Sequence, residues 1–238
     1  MSTSQHAFVT DQYAPRAADY VASAVHSAGE DLDQIEAVLR GHSKARVLDL
    51  GCGGGHVSYR AAPHVAEVVA CDLTADMLAE VKREAAERGL ANIAVQQAPA
   101  ERLPFADASF DFVLCRFTVH HWQDMEAGLR EARRVMKPSG RGIFIDVVAP
   151  GEPLFDTHLQ AVELLRDPSH VRNYSAAEWM GALARAGFAV TRTRTPPAHV
   201  AAIRSLQTMT PDSVRAHFDI AEDGSFDLES LTLEMLAA

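Results

Sequence analysis

Val47-Leu48-Asp49-Leu50-Gly51-Cys52-Gly53-Gly54-Gly55-His56 decides how the rest of the chain is read. An apolar run interrupted only by Asp49 predicts a short buried strand. The four glycines within positions 51–55 predict a turn that lies against something. Glycine reaches positive φ at no steric cost and lets a ligand touch the backbone without a Cβ in the way. Four of them exceed what a plain turn needs, yet their spacing departs from the G-x-G-x-x-G of a pyrophosphate cradle. The next strand, in Val68-Val69-Ala70-Cys71-Asp72, ends on a second acidic residue. A carboxylate at that place accepts both hydroxyls of a ribose. Together these features predict a ligand with an adenosine at one end and an amino-acid zwitterion at the other.

Working outward, short runs rich in Val, Ile and Phe recur at 47–50, 65–71, 93–95, 110–115 and 142–148. Such runs suit strands buried on both faces of a parallel sheet. Helical patterns alternate with them. The clearest covers 75–88, with Met77, Leu78 and Val81 in one stripe, Thr74 as N-cap and Gly89 as stop. A second covers 125–136 and ends before Pro138 and Gly140. Two helical stretches, 16–26 and 31–41, precede the first strand. Beyond Pro150 the patterns predict helices at 154–165 and 176–186, the latter opened by a Ser175/Glu178 capping box. A strand at 188–193, helices at 198–206 and 212–218 and a closing strand at 230–236 complete the reading. The class is α/β, a doubly wound sheet with right-handed crossovers. The length fits one domain, 1–238, with a core over about 30–150 and a C-terminal cap with substrate-pocket segments over about 151–238.

Composition narrows the function. Lys plus Arg is 22 against 32 for Asp plus Glu, a net charge of −10, and only Lys44, Lys82 and Lys137 are lysines. A chain of this charge lacks the field that draws proteins onto nucleic acid or anionic membrane. No signal-like or membrane-spanning run is visible, and Cys52, Cys71 and Cys115 show no metal-ligand spacing. The expectation is a cytoplasmic protein with reduced thiols and no metal. Monomer and homodimer both stay open.

The loop at 47–58, with Cys71-Asp72-Leu73, Ala100-Glu101-Arg102-Leu103-Pro104-Phe105 and Ser109-Phe110-Asp111-Phe112-Val113-Leu114-Cys115, resembles the class I S-adenosylmethionine-dependent methyltransferases. Among them it is similar to the methyltransferase type 11 group, which includes the ubiquinone/menaquinone C-methyltransferases. The resemblance covers 13–150 in consecutive order. It implies a Rossmann-like, seven-stranded sheet with an antiparallel last strand and helical lid segments. S-adenosylmethionine is the implied cofactor, S-adenosylhomocysteine the product, and a small molecule the methyl acceptor. By the same resemblance Asp49, Gly51, Cys52, Gly53 and Gly55 hold the methionine end of the cofactor. Asp72 takes the ribose, Leu73 and Met77 flank the adenine, Ala100 and Glu101 frame its edge, and Arg116 and Tyr20 add contacts. Many members carry Asp just before the Ala-Glu pair; Pro99 stands there, leaving the adenine amine to backbone or to Glu101. Similar proteins carry an extra strand-and-turn piece at 191–197, so either the chain is shortened there or that piece is absent from the sequence as given.

The residues after the fourth strand, Arg116-Phe117-Thr118-Val119-His120-His121-Trp122, occupy the crevice at the strands' carboxyl ends, where open α/β sheets bind ligands. Methyl transfer from a sulfonium is an in-line displacement that gains chiefly from alignment, with base help where the nucleophile carries a proton. Imidazole titrates near working pH, so His120 and His121 are the candidate bases; the competing reading packs one beneath the cofactor. His26, on a helix that folds over the cofactor in similar enzymes, and His170 and Arg172, in a polar stretch, are candidate acceptor contacts. Trp122 and Trp179 read as packing. An NAD(P)-dependent oxidoreductase, a nucleic-acid methylase and a non-catalytic cofactor-binding protein are the alternatives. The first lacks a Tyr followed four residues on by Lys, and the second lacks basic charge.

Overall fold

β1 (Arg46–Leu50) forms where the apolar run predicts it, and all but its first residue are buried. In this computed structural model the structure describes residues 5–13, 29–195, 197–201 and 225–237. The helix expected at 16–26, with Tyr20 and His26, and that expected at 212–218 lie outside the described residues. β2 (Glu67–Asp72) and β3 (Ile93–Gln97) extend the sheet to one side of β1. β4 (Phe110–Arg116) and β5 (Met136–Ala149) extend it to the other, all in parallel. β6 is the two-residue Tyr174–Ser175, paired with the end of β5. β7 (Phe188–Arg194) and β8 (Pro197–Ala201) precede a long β9 (Ser225–Ala237). The main path runs β3-β2-β1-β4-β5-β9-β7, with β9 antiparallel to both its neighbours. This is the doubly wound, Rossmann-like α/β sheet of seven strands with an antiparallel last strand.

Among the described residues seven α-helices accompany it. α1 (Gln5–Tyr13) buries no residue, and α2 (Glu30–Leu39) turns Leu32, Ile35 and Leu39 into the core. α3 (His56–Ala61) follows the glycine loop. α4 (Ala75–Glu87) buries Met77, Leu78, Val81 and Ala85, the stripe the sequence predicts. It stops at Gly89, φ 70°, where the Gly89 and Leu90 N–H groups donate back to the Ala86 and Ala85 carbonyls. Thr74 sits at the N-cap without capping through its side chain. α5 (Met125–Val135), α6 (Pro153–Arg166) and α7 (Ala176–Arg185) complete the set, and Ser175 and Glu178 close the predicted capping box on α7.

Two expectations are corrected. β5 starts at Met136, not near 142: a register shift between Phe110 and Phe112 lets Pro138 and Gly140 sit in the excursion while pairing resumes at Arg141. Pro138 stops the helix without barring a strand, because a bulge has no ladder bond for it to donate. The stretch from 198, expected helical, is β8 as far as Ala201, paired with Ser225–Glu229 of β9. β9 is longer than predicted, and its first half offers an edge whose pairing outweighs local helix preference. Trp122 and Trp179 pack as read, the former so tightly that a Cβ on Gly128 would overlap its ring.

Candidate active site

Asp49, Asp72 and Arg116 close β1, β2 and β4 on one edge of the sheet, because the parallel register carries all three strands the same way. On β5, Asp146 follows Ile145, the residue in register with Arg116. The order β2-β1-β4 places the switch between the two winding directions beside the glycine loop. There Gly51, Gly53 and Gly55 hold φ of 71°, 48° and 81°. A Cβ on Gly51 would reach 2.8 Å from Thr118 Cβ, so the loop lies directly on the turn after β4. Gly53 faces open space. Its N–H donates to Asp72 Oδ2 at 2.9 Å, while Thr74 N–H donates to Oδ1 at 2.9 Å. These bonds aim the Asp72 carboxylate and leave lone pairs on both oxygens for a diol. Burial pushes its pKa up and the backbone bonds oppose that.

Asp49 is 1% exposed. Its Oδ2 accepts the Ser58 hydroxyl at 2.6 Å, and burial drives its pKa up to about 7. A buried carboxyl beside a glycine turn suits a cationic ligand group, which would supply the counter-charge burial denies it. Cys52 contributes backbone: its N–H donates to the Cys71 carbonyl at 2.9 Å, and burial keeps the thiol protonated. Met77 and Ala100 are buried, and the Leu73 carbonyl accepts the Gln97 amide at 2.9 Å. An adenosine with a zwitterionic tail therefore fits: an open glycine face, an aimed carboxylate for the ribose and a buried carboxyl for the ammonium.

Two of the predicted cofactor contacts are engaged within the fold. Arg116 Nε donates to Asp31, tying β4 to the start of α2, and its guanidinium stacks on Phe117. Glu101 Oε1 accepts N–H groups from Gln123 and Asp124 at 2.9 and 3.3 Å, and its Oε2 lies 3.5 Å from His6 Nε2. That carboxylate secures the start of α5 and the side of α1.

The other side of the cleft is built from side chains. His120 and His121 lie on a single 3-10 turn, Val119–His121, rings 4.2 Å apart. His120 Nδ1 is 2.6 Å from Asp146 Oδ1, and Asp146 is 2% exposed. Burial alone would depress the His120 pKa; the adjacent carboxylate outweighs it, and the net direction is upward. His121 differs. Its Nδ1 lies 3.2 Å from the Ser169 carbonyl and its Nε2 3.0 Å from the Tyr13 hydroxyl, and a neutral ring can donate to only one of them. Burial and the neighbouring His120 push its pKa down to about 3. The Tyr13 hydroxyl donates in turn to Asp167, which also accepts from the Ser169 hydroxyl at 2.6 Å. His170 is buried 5.7 Å from the His120 ring, whereas Arg172 forms ion pairs with Asp156 and Glu178 at 3.0 Å each.

Sequence reasoning missed Asp146, Tyr13 and Asp167. Asp146 carried a signal, a lone carboxylate inside Phe144-Ile145-Asp146-Val147-Val148, since a charge buried in an apolar strand requires a partner. Nothing local marks Tyr13, which meets His121 across 108 positions.

The fold and the cleft define an α/β enzyme that binds an adenosine-containing cofactor at its strand ends. The chain belongs to the S-adenosylmethionine-dependent methyltransferases: residues 48–144 match the family described as "Methyltransferase domain". A relative named "Uncharacterized protein YafE", from Escherichia coli, is 42% identical over 200 residues, spanning 77% of this chain and 97% of its own. A "Demethylmenaquinone methyltransferase" of Deinococcus radiodurans is 37% identical over 117 residues, 48% of each chain. The solved structure of a putative methyltransferase from Bacillus halodurans superposes with a TM-score of 0.81 at 29% identity, over 87% of this chain and 99% of the other. The chain thus spans nearly all of the first relative and about half of the second. Family membership sets aside the oxidoreductase and non-catalytic readings. No described helix is long and apolar enough to cross a membrane.

Proposed function

We propose that the protein methylates a small molecule whose nucleophilic atom carries a proton, with His120 as general base and Asp146 as its positioning residue. The observation that carries this reading is the 2.6 Å contact between His120 Nδ1 and Asp146 Oδ1 at the carboxyl edge of the sheet. A carboxylate on Nδ1 holds the neutral ring in the Nδ1–H tautomer, which makes Nε2 the basic nitrogen. After Nε2 takes the acceptor's proton, the same carboxylate stabilises the imidazolium. His121 is the weaker base, because burial and the neighbouring His120 hold its pKa down to about 3. Bound S-adenosylmethionine supplies an electrophilic methyl group. The chain's own residues hold the cofactor through the 51–55 loop, Asp49 and Asp72, and keep bulk water from the buried base. A small acceptor is supported by the acidic surface and by the name of the Deinococcus relative, which shares half its length with this chain.

The test is a pH–rate profile with labelled S-adenosylmethionine on wild type and on His120→Ala and His121→Ala. A base role for His120 predicts a rate that rises with pH in the wild type and collapses in His120→Ala at unchanged cofactor affinity. A flat profile with an intact rate in His120→Ala would return that residue to packing.

A further inference from the structure

The segment between α6 and β6 holds polar groups that neither the fold nor the dyad uses. Gln160 pins it: Nε2 donates to the Asn173 carbonyl at 2.8 Å, and Oε1 accepts the Asn173 N–H at 2.9 Å. Both amide ends are thereby assigned. Oε1 also lies 3.0 Å from His170 Nε2, so Nε2 carries the ring proton and Nδ1 is left as an acceptor. That Nδ1 is buried with no partner, and so are both Nδ2 and Oδ1 of Asn173, a residue only 1% exposed. Among the described residues these are three of six such atoms; the others belong one each to Tyr59, Trp179 and Thr232. A buried polar atom without a partner forfeits its hydration, which folds ordinarily avoid.

The segment that carries them is held against the dyad, with the His170 ring 5.7 Å from that of His120. The Val171 and Arg172 N–H groups donate to the His120 carbonyl at 2.8 and 3.2 Å, clamping the segment over the 3-10 turn. β6 follows Asn173 at once and pairs with Val148 and Ala149, at the end of the strand that carries Asp146.

Resting on the methyltransferase reading above, the geometry points to Asn173 and His170 as the residues that select the acceptor, recognising a hydroxyl set beside a second hydroxyl or a carbonyl. Asn173 Nδ2–H donates to an acceptor oxygen, while Asn173 Oδ1 and His170 Nδ1 receive its O–H groups. Burial and the nearby His120 hold the His170 pKa down to about 4, so at neutral pH it acts as a hydrogen-bond acceptor. A wholly apolar acceptor leaves all three atoms unpaired and is rejected on that account.

Calorimetry on the full chain saturated with S-adenosylhomocysteine tests this, with catechol and salicylamide as probes and toluene as the apolar ring of similar size. Both polar probes are expected to bind at least tenfold more tightly than toluene. Asn173→Leu and His170→Phe are each expected to lose at least tenfold toward them at unchanged S-adenosylhomocysteine affinity. Because the Asn173 amide has no internal partner, Asn173→Leu keeps or raises the thermal midpoint. A lowered midpoint with unchanged probe affinity would assign the amide to buried water and overturn the proposal. So would wild-type protein that binds toluene as tightly as catechol, while S-adenosylhomocysteine binding leaves the methyltransferase reading standing. Wild type that fails to bind S-adenosylhomocysteine would overturn that reading and this proposal with it. Should Asn173→Leu not fold, His170→Phe carries the same comparison.

Discussion

The two halves of the cleft are made of different material. Around β1 and β2 the side proposed for the cofactor is largely backbone: three glycines at positive φ, and a carboxylate aimed by the N–H groups of Gly53 and Thr74. Beyond β4 and β5 the side proposed for the acceptor is a web of side chains. His120, Asp146, His121, Tyr13, Asp167 and Ser169 come from four stretches of sequence and are each buried at least in part. A cofactor shared by a family is met by a local conformation. The acceptor proposed above would be met by residues that only the tertiary fold brings together. The first kind of site tolerates exchange of its neighbours, and the second responds to each of its members.

The largest expected effect falls on the second side. His120→Ala should lower the transfer rate by about 100-fold or more, measured by single-turnover methyl transfer, with S-adenosylhomocysteine affinity unchanged by calorimetry. A matching loss of cofactor affinity would break the separation of the halves. Next comes Asp72→Ala, which should weaken S-adenosylhomocysteine binding by about 1.5–3 kcal/mol, the loss expected for charge-assisted bonds. Unchanged affinity in the folded variant would remove Asp72 from the cofactor side.

Asp146→Asn sharpens the comparison through pH. The His120 pKa lies above its ordinary value because of Asp146. As a base it must be deprotonated, so the wild-type rate should rise with pH about a midpoint above roughly 6.5. In Asp146→Asn the carboxylate is gone and burial is the largest influence left, so the midpoint should move below that value while the plateau drops roughly tenfold or more. A midpoint that stays in place would disconnect the pair.

The smallest effect is expected from Tyr13→Phe. It removes the hydroxyl between His121 and Asp167, so α1 should open more easily by about 0.5–1.5 kcal/mol. Amide exchange in Gln5–Tyr13 would then quicken roughly 2- to 13-fold, the same figure expressed as an equilibrium. Unaltered exchange would show that Gln5, which donates to the Ser169 carbonyl at 2.8 Å, and His6 hold the helix without it.

Legibility in the sequence follows the same division. The sheet through β4, the α4 stripe with its Gly89 stop and the α7 capping box depend on neighbours within a few positions, and each is where the pattern places it. The Gly51–Gly55 turn is visible because glycine announces positive φ by itself. Arg116 and Glu101 show the limit: their partners within the fold, Asp31 and the start of α5, lie 85 and 22 positions away. The choice between His120 and His121 depends on Asp146 and Tyr13, 26 and 108 positions away. β8 escaped because its partner strand lies beyond residue 224, and an Ala-His-Val run has no strong preference of its own.

The position of β9 also governs how the chain is made. Asp146 pairs with Leu231 and Phe188 with Ala237, so β9 wedges between two strands completed long before it. During synthesis, β5 and β7 leave the ribosome with open edges and wait for a strand that arrives dozens of residues later. Such late, long-range pairing slows folding and leaves unpaired strands available to other nascent chains. A message that stops before Ser225 would therefore yield a protein that still carries every glycine of the cofactor loop and clumps before it can use them.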